Sequence, residues 1–99
     1  MKDLDIIQLY WSRDERAVAE TKIKYGGLLH SIALNILANP QDSEECVNDT
    51  YNKAWDTMPP EKPKYLPAYL GRIVRNISIN LWHKNRAQKR YSGNWDQSK

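Results

Sequence analysis

Hydrophobic and polar positions along the chain repeat at the three- and four-residue spacing of amphipathic helices. Alternating β-branched runs and hairpin dipeptides, which indicate strands, are nearly absent. The first predicted helix covers about Asp3 to Trp11, and Asp3 or Asp5 can cap its start. Its apolar face consists of Leu4, Ile7, Tyr10 and Trp11.

The second predicted helix begins near Ser12 or Asp14 and ends before Pro40, because proline disfavours helical geometry in the preceding residue. Its core face consists of Val18, Thr21, Tyr25, Leu28, Leu29, Ile32, Ala33, Ile36 and Leu37. Gly26 and Gly27 interrupt it at a combined cost of about 2 kcal/mol relative to alanine. They are interpreted either as a place of close helix–helix approach or as a bend.

The third predicted helix begins at Asp42, where Asp42 to Glu45 resembles a capping box, and it ends before Pro59. Its apolar face consists of Cys46 or Val47, Thr50, Tyr51, Ala54, Trp55 and Met58. The opposite face is polar and consists of Glu44, Glu45, Asn48, Asp49, Asn52 and Lys53. A stiff loop rich in proline follows over residues 59–65, and we do not interpret it as a domain boundary.

The fourth predicted helix is the longest and runs from Leu66 or Pro67 to Arg90. Its apolar stripe consists of Leu66, Leu70, Ile73, Ile77 and Leu81, widened by Tyr69 and Val74. Residues 91–99 have no helical pattern and are expected to form a frayed tail or the start of a linker. The pattern as a whole predicts an all-α fold, a compact bundle of three to four helices forming one domain over residues 1–90.

Charge divides the chain into two unlike parts. Residues 1–61 contain 6 Lys/Arg and 11 Asp/Glu, whereas residues 62–99 contain 9 Lys/Arg and one acid, Asp96. In the fourth helix a polar row recurs every four residues, formed by Arg72, Asn76, Asn80 and Lys84. Basic side chains can neutralise phosphates, asparagine can bind base edges, and unpaired bases can stack on Tyr65, Tyr69 or Trp82. The alternative is an ordinary basic helix on a solvated surface, with Tyr69 in the core.

Several classes of protein are disfavoured by the sequence. The single cysteine, Cys46, allows no intrachain disulfide and is expected to be a small apolar helix residue. His30 and His83 lie in different helices, and His30 is expected to be partly buried. No phosphate-binding glycine loop, signal peptide or membrane-spanning stretch is recognisable. We therefore expect a cytoplasmic, non-enzymatic protein that binds no metal or cofactor and does not insert into membranes.

Two stretches of the chain carry a family resemblance. The first runs from Tyr25-Gly26 to Leu37 and continues through Asn39-Pro40-Gln41-Asp42-Ser43-Glu44-Glu45-Cys46-Val47-Asn48-Asp49-Thr50-Tyr51 to Ala54-Trp55. The second is Ala68-Tyr69-Leu70-Gly71-Arg72-Ile73-Val74-Arg75-Asn76. Their order and spacing resemble region 2 of extracytoplasmic-function sigma factors, over about residues 3 to 90. That resemblance implies a helical domain of a dissociable RNA polymerase subunit that gives the enzyme its promoter specificity.

The resemblance also implies two binding surfaces. By position, the third helix would dock on the coiled-coil clamp helices of the largest polymerase subunit through Glu44, Glu45, Asn48 and Asp49. The loop and the fourth helix would bind the minus-ten promoter element, with one non-template base turned out of the stack into the loop. The implied DNA-binding residues are Lys62, Lys64, Tyr65, Arg72, Arg75, Asn76, Asn80, His83 and Lys84.

The chain departs from the family pattern in three respects. Asn48 stands where glutamine is usual, and the loop is unusually rich in proline. The family also has a second domain, a helix-turn-helix, and no counterpart of it is present. We therefore expect a shortened form of a two-domain protein, with a naturally short chain as the alternative. An anti-sigma factor is a further candidate partner. The competing hypothesis is a degenerate sigma-like bundle that binds a regulator and not DNA.

Overall fold

The computed structural model describes the backbone of residues 1–93 and the side chains of residues 1–87. Within this range the chain forms four α-helices and no strand: α1 (Asp3–Trp11), α2 (Arg16–Leu37), α3 (Pro40–Thr57) and α4 (Leu66–Gly93). The helices α2, α3 and α4 each pack against the other two, and α1 packs on α2. This arrangement confirms the predicted all-α bundle.

The core lies where the apolar faces of the helices meet. Its largest fully buried side chains include Tyr10, Ile6, Leu29, Met58, Leu66, Leu70, Val47 and Val74. The predicted apolar face of α3 is confirmed, because Cys46, Val47, Thr50 and Ala54 are all buried. Burial also raises the pKa of the Cys46 thiol. In α4 the buried line is Leu66, Leu70, Val74 and Ser78, with Ile77 and Leu81 packed beside it.

Four residues predicted to lie on an apolar face or to be partly buried are exposed. Leu4 is 72% exposed, Leu28 is 46% exposed and Trp11 is 39% exposed, and His30 is also exposed. In α1 the buried positions are Ile6, Ile7 and Tyr10, so its buried face is centred one residue away from the prediction. In α2 the line of closest packing runs through Leu29 and Ala33, which turns the neighbouring positions Leu28 and His30 toward solvent.

The first residues of α2 and α3 also differ from the prediction. The helix α3 begins at Pro40, where the missing N–H of proline costs nothing in a first turn, and Asn39 is its N-cap. The Asn39 side chain accepts a hydrogen bond of 3.0 Å from the Asp42 backbone N–H, so Asp42 is not the cap. The helix α2 begins at Arg16, whose backbone N–H donates to the Asp14 carboxylate. Hydrogen bonds from the Arg16 side chain and backbone hold the pKa of Asp14 at about 2.

Asp3 links α1 to α2 and does not act as a cap. The N-cap of α1 is Lys2, which makes no capping bond through its side chain. The Asp3 carboxylate accepts hydrogen bonds from Tyr25 at 2.7 Å and from Lys24 at 2.8 Å. Although burial opposes it, these bonds lower the pKa of Asp3, and burial together with the carboxylate raises the pKa of Tyr25 to about 12.

The last helix is longer than predicted. It continues past Arg90 to Gly93, so the first three residues of the expected tail are helical. The rest of that tail, residues 94–99, lies outside the described residues.

The two adjacent glycines of α2 have different surroundings. A Cβ added to Gly26 would lie 3.4 Å from the Tyr51 hydroxyl oxygen, which shows that Gly26 permits a close approach of α2 to α3. A Cβ added to Gly27 would meet nothing within 4 Å. We expect Gly27→Ala to raise the free energy of unfolding by about 0.5–1 kcal/mol, because alanine is the better helix former. Urea titration checks this, and a smaller gain for Gly26→Ala is the internal comparison.

Candidate nucleic-acid interface

The acidic face of α3 is open to solvent. Glu44, Glu45, Asn48 and Asp49 are all exposed, as predicted, because the buried positions of α3 occupy the opposite side of the helix. Within residues 1–87, the ion pairs that form are Arg16 with Asp14 and Lys24 with Asp3, and neither involves this face. Among the side chains of residues 1–87, these acids therefore form no ion pair with a basic group.

The basic surface is carried by α4. The predicted residues on this helix are exposed, namely Arg72, Arg75, Asn76, Asn80, His83 and Lys84. They are held outward because Leu70, Val74 and Ser78 occupy the buried side of the same helix. From Arg72 to Lys84 the helix rises by about 18 Å, at about 1.5 Å per residue. Positive and amide groups are therefore spread along one long surface.

Residues 58–65 connect α3 to α4 and form the candidate strand-binding loop. Lys62, Lys64 and Tyr65 are exposed, and Tyr65 has 67% of its surface open to solvent. The three prolines of this segment are Pro59, Pro60 and Pro63. Since proline fixes one backbone dihedral, the loop has few conformations to lose when a ligand binds.

Side chains from the end of α1 and from the turn that follows it contact the first half of this loop. The Arg13 guanidinium donates hydrogen bonds of 2.8 Å to the carbonyl oxygens of Trp55 and Met58. The same guanidinium lies 3.9 Å from the centre of the Trp55 ring. The Trp11 indole N–H donates to the Glu61 carbonyl oxygen at 3.0 Å. Sequence reasoning did not identify Trp11 and Arg13 as parts of this region.

Tyr69 fixes the other end of the loop. Its hydroxyl group is hydrogen-bonded to the hydroxyl group of Thr57, the last residue of α3, so the start of α4 is tied to the end of α3. The Tyr69 backbone N–H also donates to the Tyr65 carbonyl oxygen at 3.1 Å. Tyr69 is half-buried, and burial raises the pKa of its hydroxyl. Of the three aromatic residues considered for stacking, Tyr69 therefore packs against the core, whereas Tyr65 is open.

The family comparison agrees with this arrangement. A family model described as Sigma-70 region 2 matches residues 23–88 of the chain. The chain belongs to the sigma-70 region 2 family. No curated protein and no solved structure matches this sigma region 2 chain. Membership of the family supports a sigma-factor-like role in RNA polymerase binding and promoter recognition.

The match leaves part of the sigma region 2 bundle uncovered. It begins at Ile23, inside α2, so α1, which ends at Trp11, and the turn that contains Arg13 precede it. The loop and the exposed row of α4 lie within the matched residues. The contacts of Trp11 and Arg13 therefore connect an unmatched segment of the chain to a matched one.

A cleft lies beside the C-terminal half of α4 in this sigma region 2 bundle. It has a volume of about 460 Å³, and Asp42, Trp82, Asn85 and Arg86 contribute to its lining. Asn85 donates a hydrogen bond of 3.1 Å to the Asp42 carboxylate, which joins α4 to the start of α3. The Arg86 guanidinium lies 5.1 Å from the centre of the Trp82 ring. Trp82 is 38% exposed, so part of its ring stays accessible.

Of the helices in residues 1–93, none is both long and apolar enough to cross a membrane. Among the side chains that the structure describes, no group of three or more His, Cys, Asp or Glu residues could hold a metal ion.

Proposed function

We propose that this chain is region 2 of an extracytoplasmic-function sigma factor, which docks on the clamp helices of core RNA polymerase and binds the opened minus-ten promoter element. The observation that carries the proposal is the separation of two oppositely charged exposed surfaces on neighbouring helices. The acids lie on α3 and the basic row lies on α4, with the stiff loop between them. One domain can therefore bind a basic protein surface and a nucleic-acid strand at the same time.

Docking would use the acidic face of α3. Glu44, Glu45 and Asp49 are free to meet basic groups of a partner, and Asn48 adds an amide that can donate and accept. Exposed charges of this kind contribute to association rate and orientation more than to affinity. In this proposal the face aligns the domain on the polymerase, so that α4 and the loop face the promoter.

Strand binding would use the loop and α4 together. The row of about 18 Å has room for about five nucleotides of a single strand at about 3.4 Å per step. Arg72, Arg75 and Lys84 would contact phosphates, and Asn76 and Asn80 would reach base edges or the backbone. Unstacking a base costs a few kcal/mol, which stacking and pocket contacts at Tyr65 and the loop would offset.

The experiment that tests the proposal is a titration of the full chain against purified bacterial core RNA polymerase. Labelled single-stranded DNA is then added, either with a minus-ten-like sequence or with a scrambled one. We expect the chain to bind the polymerase, and the complex to capture the minus-ten-like strand more tightly than the scrambled strand. A folded chain that binds neither polymerase nor DNA would contradict the proposal, and polymerase binding without strand capture would leave only a docking role.

The salt dependence of strand capture tests the part assigned to α4. Because each phosphate contact releases a counterion, we expect Arg75→Ala to reduce the slope of log affinity against log salt by about 0.7 for a single strand. Arg16→Ala removes the same charge from an exposed position at the start of α2 and should leave the slope unchanged. An identical slope for wild type and Arg75→Ala would remove Arg75 from the phosphate contacts.

A further inference from the structure

We propose that Arg13, assisted by Trp11, is a positioning residue that holds the strand-binding loop in its binding conformation. This inference rests on the proposed function, because it assigns a role in binding the strand to residues outside the predicted DNA-binding set. Neither residue is among the predicted DNA contacts, and both precede the residues that match the sigma-70 region 2 family.

Arg13 contacts backbone groups at the end of α3. The helix α3 ends at Thr57, so the Trp55 carbonyl oxygen is one of the last carbonyls of the helix, which have no partner within it. The Met58 carbonyl oxygen follows immediately after the helix. The C-terminal end of a helix carries partial negative charge, which a guanidinium complements. Arg13 therefore binds both carbonyls at the point where the chain leaves α3 and enters the loop.

The backbone of Arg13 has an unusual conformation. Its φ is 57°, in the left-handed region that glycine usually occupies at the end of a helix. The turn closes α1 through hydrogen bonds from the Arg13 N–H to the Tyr10 carbonyl oxygen and from the Asp14 N–H to the Leu9 carbonyl oxygen. An arginine here costs conformational energy that a glycine would not. The contacts of its side chain with the loop give a reason for an arginine at this position.

The contacts of Arg13 and Trp11 are distributed along the first half of the loop. Arg13 binds the chain at residues 55 and 58, and the Trp11 indole binds it at residue 61. The Lys62 ammonium group lies 6.0 Å from the centre of the Trp11 ring. These contacts fix one side of the loop, while Lys64 and Tyr65 remain exposed. A loop that is ordered before binding loses less entropy when the strand arrives.

The test compares Arg13→Asn with wild type in the complex with core RNA polymerase. Asparagine tolerates the left-handed conformation but lacks the guanidinium, so the turn is retained and the loop contacts are lost. We expect affinity for the minus-ten-like strand to fall roughly five- to tenfold, the loss expected when one or two side chains must become ordered on binding. Polymerase binding, affinity for the scrambled strand and the salt slope should be unchanged, because the groups on α3 and α4 remain.

Three further variants separate positioning from general damage. Arg16→Asn makes the same substitution at the first residue of α2, where the side chain donates to the Asp14 carboxylate. Its affinity for the minus-ten-like strand should equal that of wild type. Arg13→Lys should bind the minus-ten-like strand more tightly than Arg13→Asn but less tightly than wild type, because an ammonium can donate to the carbonyls but lacks the planar guanidinium that lies over the Trp55 ring. Trp11→Phe retains an aromatic ring but removes the indole N–H that donates to the Glu61 carbonyl oxygen, so it should lose less affinity for the minus-ten-like strand than Arg13→Asn. If Arg13→Asn lost affinity for the minus-ten-like strand and for the scrambled strand equally, the variant would be generally destabilised and the inference would be overturned.

Amide hydrogen exchange gives a measurement that does not depend on DNA. In Arg13→Asn we expect faster exchange at the backbone N–H groups of Met58 and Glu61, with the core of α2 unchanged. Unchanged exchange at these two amides would overturn the inference whatever the strand affinities are. If the wild-type complex captures no strand while Arg13→Asn speeds loop exchange, Arg13 orders the loop and the proposed strand-binding function has failed.

Discussion

Changing Asp49 to arginine is expected to weaken binding to core RNA polymerase at least about tenfold while leaving the domain folded. Asp49 is exposed on the acidic face of α3, and in the proposed complex it meets a basic partner surface. Reversing its charge places like charges together, which costs several kcal/mol, and about 1.4 kcal/mol corresponds to a tenfold change in affinity. Arginine is also a better helix former than aspartate, so α3 itself should persist.

The matched control for this variant is Asp5→Arg. It makes the same change of charge at an exposed position of α1, away from the acidic face, and should bind polymerase as wild type does. Fluorescence anisotropy of the labelled chain gives both affinities, and circular dichroism with thermal melting checks the fold. Equal binding by wild type and Asp49→Arg would remove this face of α3 from the docking surface.

Replacing Leu29 with alanine is expected to lower the free energy of unfolding by about 2–5 kcal/mol, the usual cost of removing a large core side chain. Leu29 is fully buried in α2, the helix against which the other three pack. A domain of this size has only about 5–15 kcal/mol of stability, so the variant is expected to lose a large fraction of it. Urea denaturation followed by circular dichroism measures the difference.

The adjacent leucine supplies the control. Leu28 is 46% exposed, so Leu28→Ala removes much less buried surface and should cost clearly less than Leu29→Ala. The two variants delete the same atoms at neighbouring positions of one helix, so intrinsic helix propensity cancels. Similar losses for the two would show that the buried face of α2 is placed wrongly around the helix axis.

The bounds of the helices follow from local signals, and the sequence predicted most of them. Residues 3–11 form α1 as predicted, and the predicted end of α2 lies within two residues of Leu37 because Pro40 follows. The start of α3 was predicted two residues late, because Asn39 and Asp42 are both suitable caps and the sequence does not rank them. The structure favours Asn39, which lets Pro40 occupy the first turn.

The buried faces were predicted well only where a helix has a narrow apolar stripe. The polar and apolar sides of α3 are clearly separated, and the prediction for α3 is confirmed. The helix α2 contacts three neighbours and carries apolar residues around much of its circumference, so periodicity could not distinguish Leu28 from Leu29. His30 was misplaced for the same reason, since its apolar neighbours do not show which way it faces.

Exposure of the candidate site residues was predictable, but the support of the loop was not. Polar residues opposite an apolar stripe must face solvent, and this places the acids of α3 and the basic row of α4. The hydrogen bonds of Arg13 and Trp11 join residues 42 to 50 positions apart in the chain. No local pattern indicates such a pairing, because the acceptors are backbone carbonyls that every residue type carries.

The hydrogen bonds of Arg13 and Trp11 to the loop end on main-chain oxygen atoms. Hydrogen bonds of this kind do not depend on which side chains the loop carries. These side chains can therefore change while the backbone of the loop keeps its conformation. Lys64 and Tyr65 are therefore free to diverge without a compensating change in α1 or α2, whereas Lys62 contacts the Trp11 ring of α1. If the loop binds the promoter as proposed, promoter choice can change in the loop while the bundle stays the same, and grafting a foreign loop sequence between the same anchors is a route to new specificity.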